Sequence, residues 1–145
     1  MPKEKIVSFE TTILVRDACL CLHVQRAARS LARRFDEVLR PYGLTSGQFS
    51  LLMSLNRPAP ATMKDVAALL AMDRTTLTAA LKVLERNGWV KIAPDKTDKR
   101  SKRLCLTAKG SAVLAGAVPA WKKTHAELDA MVPCDSLRKS LAALL

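Results

Sequence analysis

The sequence lacks any apolar run approaching the roughly 18 residues or more that a membrane-spanning helix needs. Its first ten residues, MPKEKIVSFE, are charged, and neither an apolar segment nor a small-residue cleavage site follows them. These absences argue against a membrane protein and against a secreted one, and we expect a cytoplasmic protein. The 4 cysteines are then expected to be reduced thiols.

The usual signatures of catalysis and cofactor binding are missing as well. There is no glycine-rich phosphate loop and no G-x-S-x-G segment, and the 2 histidines have no carboxylate at a suggestive spacing. Zinc sites need clustered ligands such as paired C-x-x-C motifs, whereas Cys19, Cys21 and His23 alternate with a period that suits a strand better than a helix. We therefore predict no enzymatic activity, no metal and no cofactor.

Aromatic residues are few, 6 of 145, although 49% of the sequence is hydrophobic, which favours a helical interior packed with leucine and alanine. A chain of this length is expected to form a single domain with its own core. Acidic residues are also few, 13 against 24 lysines and arginines, for a formal net charge of +11. The excess is largest in residues 61–106, which indicates a polyanionic partner, although a membrane surface or an acidic protein would satisfy charge alone.

Residues 62–88 have the pattern of two short helices joined by a turn. Thr62 and Asp73 are predicted N-caps, and Asn87-Gly88 is a stop signal for the second helix. That helix has an apolar face and a second face without acids, formed by Arg74, Thr75, Thr78 and Lys82. Such side chains can reach phosphates and base edges of DNA, although an ordinary solvated face would have the same composition.

A β-hairpin with a basic tip is predicted next. Residues 89–92 and 104–106 alternate as strands do, and Pro94 and Asp95 favour a turn between them. Six lysines and arginines lie between Lys91 and Arg103, against two acids. A hairpin without a partner could carry the same charges, but beside a recognition-type helix this tip is suited to a phosphate backbone or a minor groove.

The runs DRTTLTAALKVLERNGWV and DKRSKRLCLTAKG resemble the MarR family of bacterial transcription regulators. The most recognisable residues are Asp98-x-Arg100 in the hairpin and Leu106-Thr107-x-x-Gly110 after it. The resemblance extends from about residue 20 to the end of the chain. It implies a mainly α-helical fold with a small β-hairpin wing, a winged helix-turn-helix, whose homodimer binds a pseudo-palindromic operator in double-stranded DNA.

The resemblance also implies roles for single residues. The helix from Arg74 to Asn87 would lie in the major groove, Arg100 would enter the minor groove, and Asp98 would orient Arg100. The residues that we expect to contact DNA are Arg74, Thr75, Thr76, Thr78, Lys82, Lys96, Asp98, Lys99, Arg100 and Lys102.

Helical patterns flank this lobe of about residues 45–106. A long helix at about 17–40 and the region at about 111–145 are predicted dimerisation helices, with an arm or a short extra helix before them. Pro119 is expected to kink or interrupt the second region, and Asp135 to cap a last helix ending in LAALL. That helix cannot bury its leucines alone. Packing on its own subunit is the alternative to a dimer interface.

Within the lobe, Thr45 is expected to cap a helix from Ser46 to Leu55. Its predicted inward residues are Phe49, Leu52 and Met53. The stripe predicted for the first helix of the helix-turn-helix is Val66, Leu69 and Leu70.

Regulators that this chain resembles respond to a small molecule or to oxidation. The family places its effector in a crevice between the dimer helices and the DNA-binding lobe. Trp121 and His125, one helical turn apart, would suit a small aromatic effector, and Arg26 would suit a carboxylate. The candidate effector or redox residues are Cys19, Cys21, His23, Arg26, Phe49, Trp121 and His125.

Cys21 lies near a predicted helix N-terminus, which lowers the pKa of a thiol. It resembles in position the sensing cysteine of the organic-hydroperoxide branch, but Phe35 and Ser46 stand where that branch has tyrosines. A Cys19–Cys21 disulfide would require an unwound helix. A thiol-based regulator, inert thiols, an architectural DNA-binding protein without an effector, and a winged-helix module that binds protein are the alternatives.

Overall fold

The computed structural model describes Pro2 and residues 4–145. The described chain is mainly α-helical with one small antiparallel sheet, and it divides into two compact units, residues 1–34 and residues 35–145. None of its helices is both long and apolar enough to cross a bilayer. The elements, in chain order, are α1 (Phe9–Ala18), α2 (Leu20–Leu39), a 3-10 turn (Arg40–Tyr42), α3 (Ser46–Leu55), β1 (Ala61–Thr62), α4 (Met63–Leu70), α5 (Arg74–Arg86), β2 (Val90–Pro94), β3 (Lys102–Leu106), α6 (Ala108–Met131) and α7 (Cys134–Ala142).

The first unit contains α1 and most of α2. The prediction of one long helix from about residue 17 is wrong at its start, because Cys19 is extended (φ −69°, ψ 106°) and separates α1 from α2. Ser8 caps α1, and its hydroxyl accepts the backbone N–H of Thr11. Cys19 already lies outside the helices, so a Cys19–Cys21 disulfide would not require a helix to unwind at Cys19, as had been expected. None of the described side chains of this unit is fully buried.

The second unit has a leucine-rich core around the helix-turn-helix. The predicted caps are confirmed: Thr45 accepts the N–H of Gln48, Thr62 that of Asp65, and Asp73 that of Thr76. The core contains Leu39, Leu44, Leu52, Val66, Leu77, Leu81, Leu84 and Leu104, each at most 3% exposed.

Two predicted core residues are exposed. Leu69 is 63% exposed, because the buried face of α4 extends from Val66 through Leu70 and Met63 to Ala67, and Leu69 lies on the outer side of Val66. Met53 is 37% exposed. Its sequence neighbours Leu52 and Ser54 belong to the buried face of α3, but around the helix axis Met53 lies outside that face. The buried faces of α3 and α4 therefore include different positions from those that the sequence spacing predicted.

The turn between α4 and α5 passes through a left-handed residue. Ala71 has φ 50° and ψ 45°, and the N–H groups of Ala71 and Met72 close the end of α4 on the carbonyls of Ala68 and Ala67, at 3.2 and 2.9 Å. This closure satisfies the last carbonyls of α4. Asp73 then starts α5 immediately.

The sheet has the strand order β1–β3–β2, and both pairings are antiparallel. In the hairpin, Val90 pairs with Leu106 and Pro94 with Lys102, so the predicted strands extend further toward the tip than the alternation showed. The two-residue strand β1, with Ala61 opposite Leu104, was not predicted. Two residues are too short for any alternation to be visible.

The start of α6 is fixed against the base of the hairpin. The Thr107 hydroxyl donates to the Gly88 carbonyl at 2.6 Å and accepts the Gly110 N–H at 3.0 Å, while the Thr107 N–H donates to the Trp89 carbonyl at 3.0 Å. A Cβ on Gly110 would lie 2.1 Å from the Trp89 oxygen, so glycine is required there. Helix α6 therefore starts at Ala108, three residues earlier than predicted.

The last two helices bear on two further expectations. Of the two outcomes expected at Pro119, a kink or an interruption, the interruption does not occur, because Pro119 lies inside α6. Pro119 and Ala115, whose carbonyl loses its helical donor, are both exposed, so water can supply the missing hydrogen bond. Helix α7 has Pro133 as its N-cap residue, and Asp135 is the second helical residue, so it does not cap the helix as predicted.

Candidate nucleic-acid interface

The exposed face of α5 starts at its first turn. Arg74, Thr75 and Thr76 are exposed there, Thr78 is half-buried one turn later, and Lys82 is exposed beyond it. Two of the threonine hydroxyls already donate within the lobe, because Thr76 bonds the Asp73 carboxylate at 2.8 Å and Thr78 bonds the Arg74 carbonyl at 2.7 Å. Their hydroxyl oxygens remain available only as acceptors.

The side chains of Arg74, Thr75 and Lys82 make no hydrogen bond or ion pair with other residues that the structure describes. The hydrogen bonds from the Thr76 N–H and then its hydroxyl lower the pKa of Asp73, so this cap is ionised at neutral pH. A carboxylate at the N-terminus of α5 fits the positive end of the helix dipole. Among the predicted DNA-contacting residues of α5, Arg74, Thr75 and Lys82 are therefore the ones whose donor groups are free to bind a partner.

A crevice of about 280 Å³ joins α5 to the hairpin. Its floor includes Leu81 and Ile92, and its rim includes Glu85, an acid one turn beyond Lys82. The predicted DNA-contacting residues that border it are Thr78 and Lys82 of α5 and Lys99 and Lys102 of the hairpin. The structure thus brings the helix face and the basic hairpin together on one side of the lobe.

The hairpin tip is a tight turn whose central residues are Lys99 and Arg100. The Ser101 N–H donates to the Asp98 carbonyl at 3.0 Å, and the Arg100 N–H donates to the Asp98 carboxylate at 3.0 Å. Asp98 therefore fixes the main chain of Arg100, whose guanidinium forms no ion pair with the described residues. Lys96 is also exposed on this tip.

The sequence predicted Asp95 only as a residue that favours a turn, and it did not predict the hydrogen bonds that Asp95 makes in the hairpin. Its Oδ1 accepts the Arg103 Nε–H at 2.5 Å, and its Oδ2 accepts the Thr97 hydroxyl at 3.0 Å and the Asp98 N–H at 3.3 Å. The Arg103 hydrogen bond, followed by that of Thr97, lowers the pKa of Asp95. Arg103, counted among the six cations, is consequently paired within the hairpin. The Asp-x-Thr-Asp spacing, typical of side chains that bond the backbone two or three residues on, was the available signal.

Three of the candidate effector residues lie together in the second unit. The rings of Phe49 and Trp121 are stacked with centroids 6.1 Å apart, and Trp121 and His125 have centroids 5.0 Å apart. The series continues with His125 Nδ1, 3.2 Å from the Asp129 carboxylate. A hydrogen bond from the Cys134 thiol is the main cause that lowers the pKa of Asp129, and burial, then Asp129, raises the pKa of Cys134. Cys134 is therefore a protonated, weakly nucleophilic thiol at neutral pH.

The other four candidates belong to the first unit. Cys21 is exposed, with the Gln25 amide 3.4 Å from its sulfur, whereas Cys19 is half-buried at the break between helices. His23 Nε2 donates to the Asp17 carbonyl at 3.2 Å. His23 and Arg26 also border an open hollow of about 570 Å³ on one face of α2.

Within the described chain, Pro2 and residues 4–145, no group of three or more His, Cys, Asp or Glu side chains is arranged to hold a metal ion.

The helix-turn-helix and hairpin match known proteins. Residues 42–101 match the model of the MarR family. The uncharacterized HTH-type transcriptional regulator YwoH of Bacillus subtilis (strain 168) is 38% identical over 84 residues, which cover 58% of this chain and 61% of YwoH. The chain spans about half to three fifths of the first curated relatives it matches, with 61%, 48% and 54% of their lengths covered.

Solved structures match over most of the chain. The M. tuberculosis transcriptional regulator MosR, crystallised in complex with DNA, has 43% sequence identity and a TM-score of 0.79, covering 87% of this chain and 92% of that one. A cysteine-to-serine mutant of MarR from E. coli, complexed with operator DNA, has 26% identity and a TM-score of 0.79, covering 91% and 97%.

Proposed function

The chain belongs to the MarR family, and from this premise we propose that it is a DNA-binding transcription regulator that binds a pseudo-palindromic operator as a homodimer. One observation carries the proposal: the exposed face of α5 and the basic hairpin tip border the same crevice, with Lys82, Lys99 and Lys102 on its rim. Helix and wing can then contact one DNA duplex together. The DNA complexes of MosR and E. coli MarR support this use of the fold.

In the proposed complex, α5 lies in the major groove and Arg100 enters the adjacent minor groove. Arg74, Thr75 and Lys82 have unpaired side chains for base edges or phosphates. Lys96, Lys99 and Lys102 supply charge along the phosphate backbone. Truncating Arg100 should weaken operator binding by about 1–3 kcal/mol.

Hydroxyl-radical footprinting on the DNA upstream of the protein's own gene tests this function. A dimer should protect two half-sites about 34 Å, one helical turn, apart. Protection without sequence preference would support an architectural DNA-binding protein instead. No protection at low salt would support a winged-helix module that binds protein, and would refute DNA binding.

The homodimer is proposed from apolar side chains left exposed on the terminal helices. Phe9 and Leu14 of α1 are 75% and 63% exposed, and Leu137 and Leu141 of α7 are 44% and 40% exposed. On each of these helices, taken by itself, exposed large apolar side chains are typical of a surface that another chain covers. Sedimentation should give a dimer that Leu141→Glu weakens. The matched control is Leu69→Glu, at a 63% exposed leucine outside the terminal helices, which should leave the mass unchanged.

We further propose a cytoplasmic repressor that a small effector releases from DNA. The stacked rings of Phe49 and Trp121, with His125 and Asp129 beyond them, suit a small aromatic molecule, whereas Arg26 would suit a carboxylate. An effector that binds a different spacing of the two DNA-binding lobes more tightly would shift the population away from the DNA-competent form. A quench of tryptophan fluorescence together with release from operator DNA would identify such a molecule.

A thiol-based regulator is the second candidate, because Cys21 is exposed beside a non-helical Cys19. Mild peroxide should then release the protein from its operator, and Cys21→Ser should prevent the release. Cys105→Ser, at a half-buried strand position, is the matched control. Equal release of wild type and Cys21→Ser would exclude Cys21 as the sensor.

A further inference from the structure

The hairpin tip has no hydrophobic anchor. Residues 96–100 are exposed, and strand pairing stops at Pro94 opposite Lys102. The conformation that presents Lys99 and Arg100 therefore depends on hydrogen bonds made within the tip.

We propose that Asp95 is the positioning residue of the wing: it fixes the main chain that presents Arg100 to DNA. The inference rests on the proposed DNA binding, and it assigns the control of the wing to an acid that is not among the residues expected to contact DNA. Asp95 holds the tip from two sides, since its Oδ1 takes the Arg103 Nε–H and its Oδ2 takes the Thr97 hydroxyl and the Asp98 N–H.

The second step of the positioning passes through Asp98. Once its N–H is bound to Asp95, its own carboxylate accepts the Arg100 N–H and its carbonyl accepts the Ser101 N–H. The Asp95 N–H closes the loop on the Ser101 carbonyl at 2.9 Å. Asp95 thus holds Asp98, and Asp98 holds the main chain of Arg100. Of the two acids, Asp95 is the one bonded to the sheet.

The attachment to the sheet is Arg103. It lies in β3 opposite Ala93, and its side chain is 38% exposed, against 19% for that of Asp95. This partly buried pair ties the exposed tip to the ordered strands. Losing it should free residues 96–100 while leaving the core of the second unit intact.

The direction in which DNA affinity changes when Asp95 is removed distinguishes a positioning role from a purely electrostatic one. Removing Asp95 takes a negative charge away from a surface that would face phosphates, so charge alone predicts tighter DNA binding. Positioning predicts weaker binding, because affinity falls by the fraction of time in which the tip is competent. Asp65→Ala is the charge-matched control, since Asp65 is exposed in the first turn of α4, outside the hairpin.

The experiment is a double-mutant cycle measured by fluorescence anisotropy on an operator duplex. Asp95→Ala should bind about tenfold more weakly than wild type, while Asp65→Ala should bind equally or more tightly. In the Arg100→Ala background, Asp95→Ala should change affinity by less than about threefold, because Arg100 is gone and only the backbone-contacting lysines of the tip are still affected. An affinity equal to wild type, or a tenfold loss that persists without Arg100, would overturn the proposal.

Hydrogen exchange without DNA separates failure of this inference from failure of the proposed function. The Asp98 and Ser101 amides should exchange about tenfold faster in Asp95→Ala than in wild type. The amides of the Lys91–Cys105 pair in the sheet should be unchanged. Wild-type tip amides that already exchange as fast as the variant's would refute the role of Asp95 whether or not DNA binds. A protected tip in a protein that binds no operator would refute only the function.

Discussion

The contact between Gly110 and Trp89 allows a quantitative prediction. A Cβ on residue 110 would lie 2.1 Å from the Trp89 oxygen, 2.9 Å from its carbonyl carbon and 3.0 Å from its Cα. All three are backbone atoms, so no side-chain rotation can relieve the clash. Gly110→Ala must therefore move the start of α6 away from the hairpin base.

The expected loss has three contributions. Overpacking a tight site costs about 1–3 kcal/mol. Displacing α6 also weakens the hydrogen bond from the Thr107 N–H to the Trp89 carbonyl, worth about 1 kcal/mol. Alanine in place of glycine inside a helix returns about 1 kcal/mol. We expect the free energy of unfolding to fall by about 1–3 kcal/mol, a large fraction of a typical domain's stability.

Gly116→Ala in the same helix is the matched control. A Cβ there meets only the Tyr42 ring, at 4.0 Å, so the substitution should raise the free energy of unfolding by up to about 1 kcal/mol. Urea unfolding followed by helical circular dichroism, at one protomer concentration, measures both variants. If Gly110→Ala is as stable as Gly116→Ala, the reasoning about this contact is wrong.

Four further outcomes are expected. Lys96→Ala should lower affinity evenly across DNA sequences and flatten the dependence on salt, and an unchanged slope would argue against a phosphate contact. Ala71→Gly should be neutral or raise the free energy of unfolding by up to about 1 kcal/mol, since φ is 50° there; a loss above 1 kcal/mol would contradict this. An alkylating reagent should modify Cys21 before Cys134, whose pKa is raised. Modification in the reverse order would contradict the assignment of Cys134 as the less reactive thiol. The pKa of Asp73 is lowered from 3.8, so its cap contributes stability above that value and loses it as pH falls further. The stability difference between wild type and Asp73→Ala should therefore shrink in strong acid, and a constant difference would count against the cap.

Local chemistry is what the sequence allowed us to predict. Thr45, Thr62 and Asp73 were identified as caps because each bonds a backbone N–H three residues ahead, a relation that sequence spacing contains in full. The end of α5 at Asn87-Gly88 follows for the same reason, with Gly88 at φ 77°. The helix face and the basic tip were predicted separately, and the crevice shows that they share one side of the lobe.

What escaped prediction depends on distant partners. Strand β1 exists because Ala61 pairs with Leu104, more than forty residues away. The choice of Leu70 over Leu69 for the core is decided by which elements pack on α4. In the sequence, Arg103 is one more cation of the tip, whereas in the structure its side chain is paired with Asp95. These are tertiary relations, which override local propensity.

The most direct test of DNA binding is an affinity titration of the upstream operator duplex against a scrambled duplex of equal length, at two salt concentrations. We predict that wild type prefers the operator by a factor of about a thousand or more. Its affinity should also fall steeply as salt rises. Equal affinity for both duplexes, or affinity independent of salt, would contradict the assignment of α5 and the wing as a sequence-reading surface.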